Sequence, residues 1–118
     1  MKPVIVFYRM GGFAGVSERW TVYPDGRVVA ADGVEKRAAP EQVAALLAEI
    51  DRLGFFGLAS NYGLGSPCRD CFSCEISVVG PGGSPKTVVA VQGAGDTPPE
   101  FLQVVEAIER LLAGLQNR

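Results

Sequence analysis

Three cysteines, Cys68, Cys71 and Cys74, stand in the spacing C-x-x-C-x-x-C, the pattern in this chain that most invites chemistry. A zinc or iron–sulfur centre wants four strong donors, usually thiolate or imidazole. This sequence has no fourth cysteine and no histidine. Asp70 would have to complete the set, in a mixed site that is uncommon for such metals. Cys74 also alternates with Phe72 and Ile76, so a strand through them turns its thiol into the core as a small hydrophobe. No metal is expected. Cys68 and Cys71 read either as thiols, the default in a reducing cytosol, or as a disulfide.

The absence of histidine removes Ser-His-Asp and Cys-His nucleophile activation and the H-E-x-x-H zinc helix. Paired carboxylates remain a possible acid/base device, but no pair falls at a spacing that forces proximity. Asp25 and Asp32 sit in turns that explain them, Glu75 alternates outward, and Asp96 shares a loop with Gly93 and Gly95. Gly11-Gly12-Phe13-Ala14-Gly15 is glycine-rich but lacks the lysine and hydroxyl of a phosphate loop, and a strand rather than a helix follows it. Composition favours a hairpin bend that keeps a Phe side chain for packing; the other reading is an exposed recognition loop held by rigid strands. The expectation is a protein without catalytic residues and without a cofactor.

The elements that would hold these residues are legible. Val4 to Met10 is β-branched and aromatic, a strand, and Trp20 to Tyr23 returns from the glycine bend. Pro24-Asp25-Gly26 makes a tight turn before a third short strand, 27–31. Pro40 suits a first helical position; Val43, Leu46, Leu47, Ile50 and Leu53 then form one apolar stripe, and Gly54 ends the helix. Phe55, Phe56 and Leu58 are expected to fold back beneath it. A loop spans 59–69. Residues 72–78 alternate with period two, Gly80 to Pro85 turns the chain, and 87–91 returns. Thr97 and Glu100 spell a capping box, with Pro98 at the first helical position. A stripe from Phe101 to Leu115 then makes the last helix.

This order, ββ(β)α followed by ββα, predicts an α+β two-layer sandwich: four or five antiparallel strands with two helices on one face, in a single domain over 1–118. The first strand is apolar on both sides, with Val4, Val6 and Tyr8 opposing Ile5 and Phe7. The face away from the helices is therefore either roofed by loops or used as an interface. A net charge of -2, with eleven scattered cations, gives no basic field for nucleic acid or anionic lipid. No run approaches the ~18 apolar residues that span a bilayer, and Val4 to Tyr8 is too short for a signal peptide. A soluble, cytoplasmic chain is expected, a monomer or weak homodimer; the competing reading of its role is a general protein-interaction domain of unknown partner, homodimeric through the open sheet face.

Gly11-Gly12-Phe13-Ala14-Gly15-Val16 followed by Arg19-Trp20-Thr21-Val22 resembles the N-terminal signature of the emfourin-like family, protein inhibitors of thermolysin-like metallopeptidases. Leu53-Gly54-Phe55-Phe56-Gly57-Leu58, the strand Asp70-Cys71-Phe72-Ser73-Cys74-Glu75-Ile76-Ser77-Val78, and Pro99-Glu100-Phe101-Leu102 are similar to later parts of that family, in the same order. The three cysteines depart from the family's pattern, and Cys74 stands where an aromatic is usual. The resemblance implies a non-catalytic inhibitor whose partner is a thermolysin-like peptidase. Such enzymes favour a bulky apolar side chain after the scissile bond. That makes Phe13 in the loop Gly11, Gly12, Phe13, Ala14 and Gly15, or Leu64 with Tyr62 beside it, the expected anchor.

Overall fold

The structure is a computed structural model that describes residues 2–11, 16–62, 72–80, 82–91 and 97–117. Its strands are β1 (Ile5–Gly11), β2 (Val16–Val22), β3 (Arg27–Ala30), β4 (Glu35–Arg37), β5 (Asn61–Tyr62), β6 (Phe72–Val79), β7 (Pro85–Val91) and β8 (Gln116–Asn117). Helix α1 (Pro40–Arg52) lies between β4 and β5, and α2 (Pro99–Ala113) between β7 and β8. The strands form one sheet in the order β5-β7-β6-β1-β2-β3-β4-β8. The fold is α+β as expected, but among the described residues the sheet has eight strands rather than four or five. It is also mixed: β5 runs parallel to β7, whereas the other neighbours are antiparallel.

The additional strands are short and carry no apolar alternation. β4 is Glu-Lys-Arg, and it exists because the turn after β3 closes with Ala30 N–H on the Val34 carbonyl (2.9 Å). Asn61 and Tyr62, expected in a loop, pair with Val89 and Ala90. Both gain strand geometry from a neighbour's backbone rather than from their own side chains, so no hydrophobic period announces them.

One face of the sheet carries the core. Ile5 and Phe7 of β1 share it with Val22, Val28, Cys74, Ile76, Val78, Val88 and Ala90, all buried. Both helices cover this side. α1 buries Val43, Leu46 and Ile50, and α2 buries Phe101, Val104, Val105, Ala107 and Ile108 in the same cluster. The topology fits this: α1 leaves β4 near one edge of the sheet and delivers the chain to β5 at the other, α2 carries it back to β8, and both bury their stripes on the apolar face. Phe55, at the fold-back after α1, is also buried, and Phe56 and Leu58 pack against the cluster. No helix among the described residues is long and apolar enough to cross a membrane.

The helix starts differ from one another. Pro40 opens α1, and the Ala39 N–H donates to the Gln42 side-chain Oε1 (2.8 Å), which satisfies one of the first-turn donors. In α2 the first helical residue is Pro99, one later than expected, and Thr97 does not cap it. The Thr97 hydroxyl donates instead to the Val91 carbonyl (2.7 Å), fastening the approach to α2 onto the end of β7.

Gly26 closes the β2–β3 turn at φ 98°, and a Cβ there would collide with the Ala38 carbonyl. That carbonyl's residue is held close because the Ala38 N–H donates to the Gly26 carbonyl (2.8 Å). Gly33 has a similar φ of 87° with open space around it. The left-handed conformation alone costs a non-glycine residue about 1–2 kcal/mol. Gly33→Ala should lose about that much in urea denaturation, and Gly26→Ala should lose clearly more. Equal losses would show that the close approach to Ala38 is immaterial.

Candidate functional site

The register of the sheet gathers three loop stems at one end. Gly11, the last residue of β1, faces Val16 at the start of β2 on one side and Phe72 at the start of β6 on the other. Val91, at the end of β7, lies beside Ser73, and Tyr62 of β5 lies beside Ala90. The connections 12–15, 63–71 and 92–96 therefore all depart from and return to the same end of the sheet, where α2 also begins. Both loops singled out in the sequence belong to this set. Gly11 has φ 107°, a conformation open to glycine and strained for other residues, and it turns the chain out of β1.

Of the residues named as candidates, Gly11 is at the stem. Gly12, Phe13, Ala14, Gly15 and Leu64 lie outside the described residues, as do Cys68 and Cys71. Tyr62 stands in β5 rather than on a free loop. It is half-buried against the core, and its hydroxyl accepts the Ala59 N–H (2.8 Å), which ties it to its own backbone. Tyr62 thus fixes where the second loop departs. Among the described residues no group of three His, Cys, Asp or Glu side chains is placed to hold a metal.

Sequence reading missed a charged cluster beneath the stems. Period two puts Arg9 on the same face as Ile5 and Phe7, so its side chain enters the helix side of the sheet. It is only 16% exposed. Its Nη2 donates to Glu109 Oε2 of α2 at 3.0 Å, and its Nε lies 3.8 Å from Glu18 Oε2 of β2. The guanidinium also sits 5.3 Å from the Phe7 ring centroid and 5.5 Å from that of Phe72. One cation therefore joins α2, the first strand after loop 12–15 and the first residue after loop 63–71. Its inward position in the alternation of β1 was the signal available in the sequence.

Cys74 pairs with Arg9 across β1 and β6 and is fully buried. Burial pushes its thiol up to about 11 from the ordinary 9.0, against the pull of Arg9 and with a smaller push from Glu109 and Glu18. Such a thiol is a packing group and a poor nucleophile at neutral pH. Its inward direction agrees with the alternation read in the sequence.

No protein-family model matches the chain, and no curated protein matches it.

Glu109→Ala leaves a largely buried guanidinium facing only the more distant Glu18, and should destabilise by about 1 kcal/mol. Arg9→Met removes the cation and keeps the packing, and should be nearly neutral in the same denaturation assay. A larger loss for Arg9→Met than for Glu109→Ala contradicts this balance. The raised Cys74 pKa means that the unfolded thiol ionises from about pH 9 while the folded thiol holds its proton to about pH 11. Stability tied to this group is complete below pH 9 and falls as pH rises through that window. Cys74→Ala should lack this part of the alkaline decline in denaturation midpoint.

Proposed function

We propose that the chain is a non-catalytic inhibitor of thermolysin-like zinc metallopeptidases, which inserts loops from the stem end of its sheet into the peptidase cleft. The class of target comes from the resemblance to emfourin-like inhibitors. The observation that supports the mode of action is the convergence of the stems, with Gly11 between Val16 and Phe72, and Tyr62 beside Ala90. Two loops on one rigid end can enter one cleft together, whereas loops at opposite ends could not.

An inhibitor of this type must present groups that the enzyme holds without turning over. Rigid strands below and a fastened helix start, through Thr97 and Val91, lower the entropy lost when the loops dock. Phe13 and Leu64 supply the apolar side chains that such a cleft prefers. A contact of about 800 Å² per partner is enough for tight blocking.

Titration of thermolysin activity with the purified chain tests this reading, and loss of activity at stoichiometric dose is expected. An anchor residue is worth about 2 kcal/mol or more, so Phe13→Ala or Leu64→Ala should raise the inhibition constant about 30-fold. The melting temperature should barely change. An unaffected enzyme at saturating dose removes the proposal, and a variant that unfolds instead of weakening inhibition removes that residue as the anchor.

A further inference from the structure

The face of the sheet away from the helices has a charge pattern that is complementary to itself. Val6, Tyr8 and Met10 run down the outer side of β1 as a central column, with Met10 44% exposed. The register sets a polar row on each flank. On β2, Thr21, Arg19 and Ser17 lie opposite Val6, Tyr8 and Met10. On β6, Ser77, Glu75 and Ser73 lie opposite the same three residues. Tyr8 therefore sits midway between Arg19 and Glu75, at the floor of a shallow depression of about 440 Å³ lined by these residues with Val6 and Met10.

Arg19 and Glu75 are two strands apart, roughly 9.6 Å at ordinary strand spacing. In the structure they do not pair with each other, and Tyr8 stands between them. Both are exposed, and neither takes part in an ion pair among the described residues. Across β2, β1 and β6 the face thus holds one charge of each sign outside any ion pair, on either side of an apolar line.

A two-fold axis parallel to β1, lying in the plane between two such faces, exchanges left and right. It brings β2 of one copy over β6 of the other. Arg19 then meets Glu75 of the second copy, and Glu75 meets its Arg19. Thr21 and Ser17 meet Ser77 and Ser73, hydroxyl against hydroxyl. Val6, Tyr8 and Met10 fall on the axis and pack against themselves. The alternative axis, across the strands, would set Arg19 over Arg19 and Glu75 over Glu75, so the charges choose between the two. Aligned face-to-face sheets are also a common packing.

We infer that this face is the contact of a symmetric homodimer, in which Arg19 and Glu75 pair reciprocally across an apolar column of Val6, Tyr8 and Met10. A partner of any other kind would have to reproduce this particular layout, whereas a second copy supplies it by symmetry. The inference is independent of the inhibitor reading, because it rests on the outer residues of β1, β2 and β6 and not on the loops.

Sedimentation velocity over a range of concentrations, with no peptidase present, tests it. The wild-type chain should pass from monomer to dimer. Arg19→Glu alone and Glu75→Arg alone should each weaken self-association about tenfold or more, since each creates like-charge contacts. Both positions are exposed, and unchanged melting temperatures should confirm that the variants fold. The two single variants mixed in equal amounts should dimerise with each other, and the double variant with itself, because both arrangements restore opposite charges. A wild-type chain that stays monomeric throughout overturns the inference. So does a dimer indifferent to either charge reversal, or single variants that fail to rescue one another.

Discussion

Strand β1 is apolar on both faces, so by itself it does not decide which side to bury. Its neighbour β6 decides. There Cys74, Ile76 and Val78 alternate with Ser73, Glu75 and Ser77, and only one of the two sets can enter a core without stranding hydroxyls and a carboxylate. Pairing Ile5 with Val78 and Phe7 with Ile76 places both apolar sets together beneath the helices. A slip of one residue would turn Ser77 and Glu75 inward. The register that avoids this also fixes Gly11 against Phe72, and hence the meeting of the loop stems. It brings Arg9 opposite Cys74, close to Glu109 and Glu18.

The same alternation that makes the inner face apolar leaves a particular residue set outside. Tyr8 with Arg19 on one flank and Glu75 on the other is a consequence of register, not of any local motif. So are the hydroxyl rows above and below it, where Tyr8 and Ser17 approach to 3.4 Å and Ser77 and Thr87 bond at 2.7 Å. Core, loop stems and outer face are three results of one pairing. The helices add cover and a cross-sheet connection, and Arg9 ties α2 to the stem end.

Much of this architecture can be read from residues because it rests on local physics. The stripes of α1 and α2, the proline at the start of α1, Gly54 at φ 87° after it, and the Asp25 and Asp32 turns each have a cause within a few positions. Elements that depend on a distant partner were not legible. β4, β5 and β8 form because another strand's backbone is there, and Thr97 bonds to Val91 instead of capping its helix. Arg9 was readable in principle: alternation turned it inward, and an inward arginine needs a carboxylate from another element. The pairing of β1, β5, β6 and β7 brings the stems of the connections 12–15 and 63–71 to one end of the sheet.

The proposed contact is between the stem end of the sheet and a thermolysin-like peptidase. Amide spectra of the labelled chain, recorded while a catalytically inactivated thermolysin is added, address it most directly. Line broadening is expected at Gly11, Val16, Tyr62, Phe72, Val91 and the loops between them, with the Tyr23–Arg27 turn and the turn at 80–84 unaffected. Broadening centred on those distant turns, or none at all with the enzyme in excess, would contradict it.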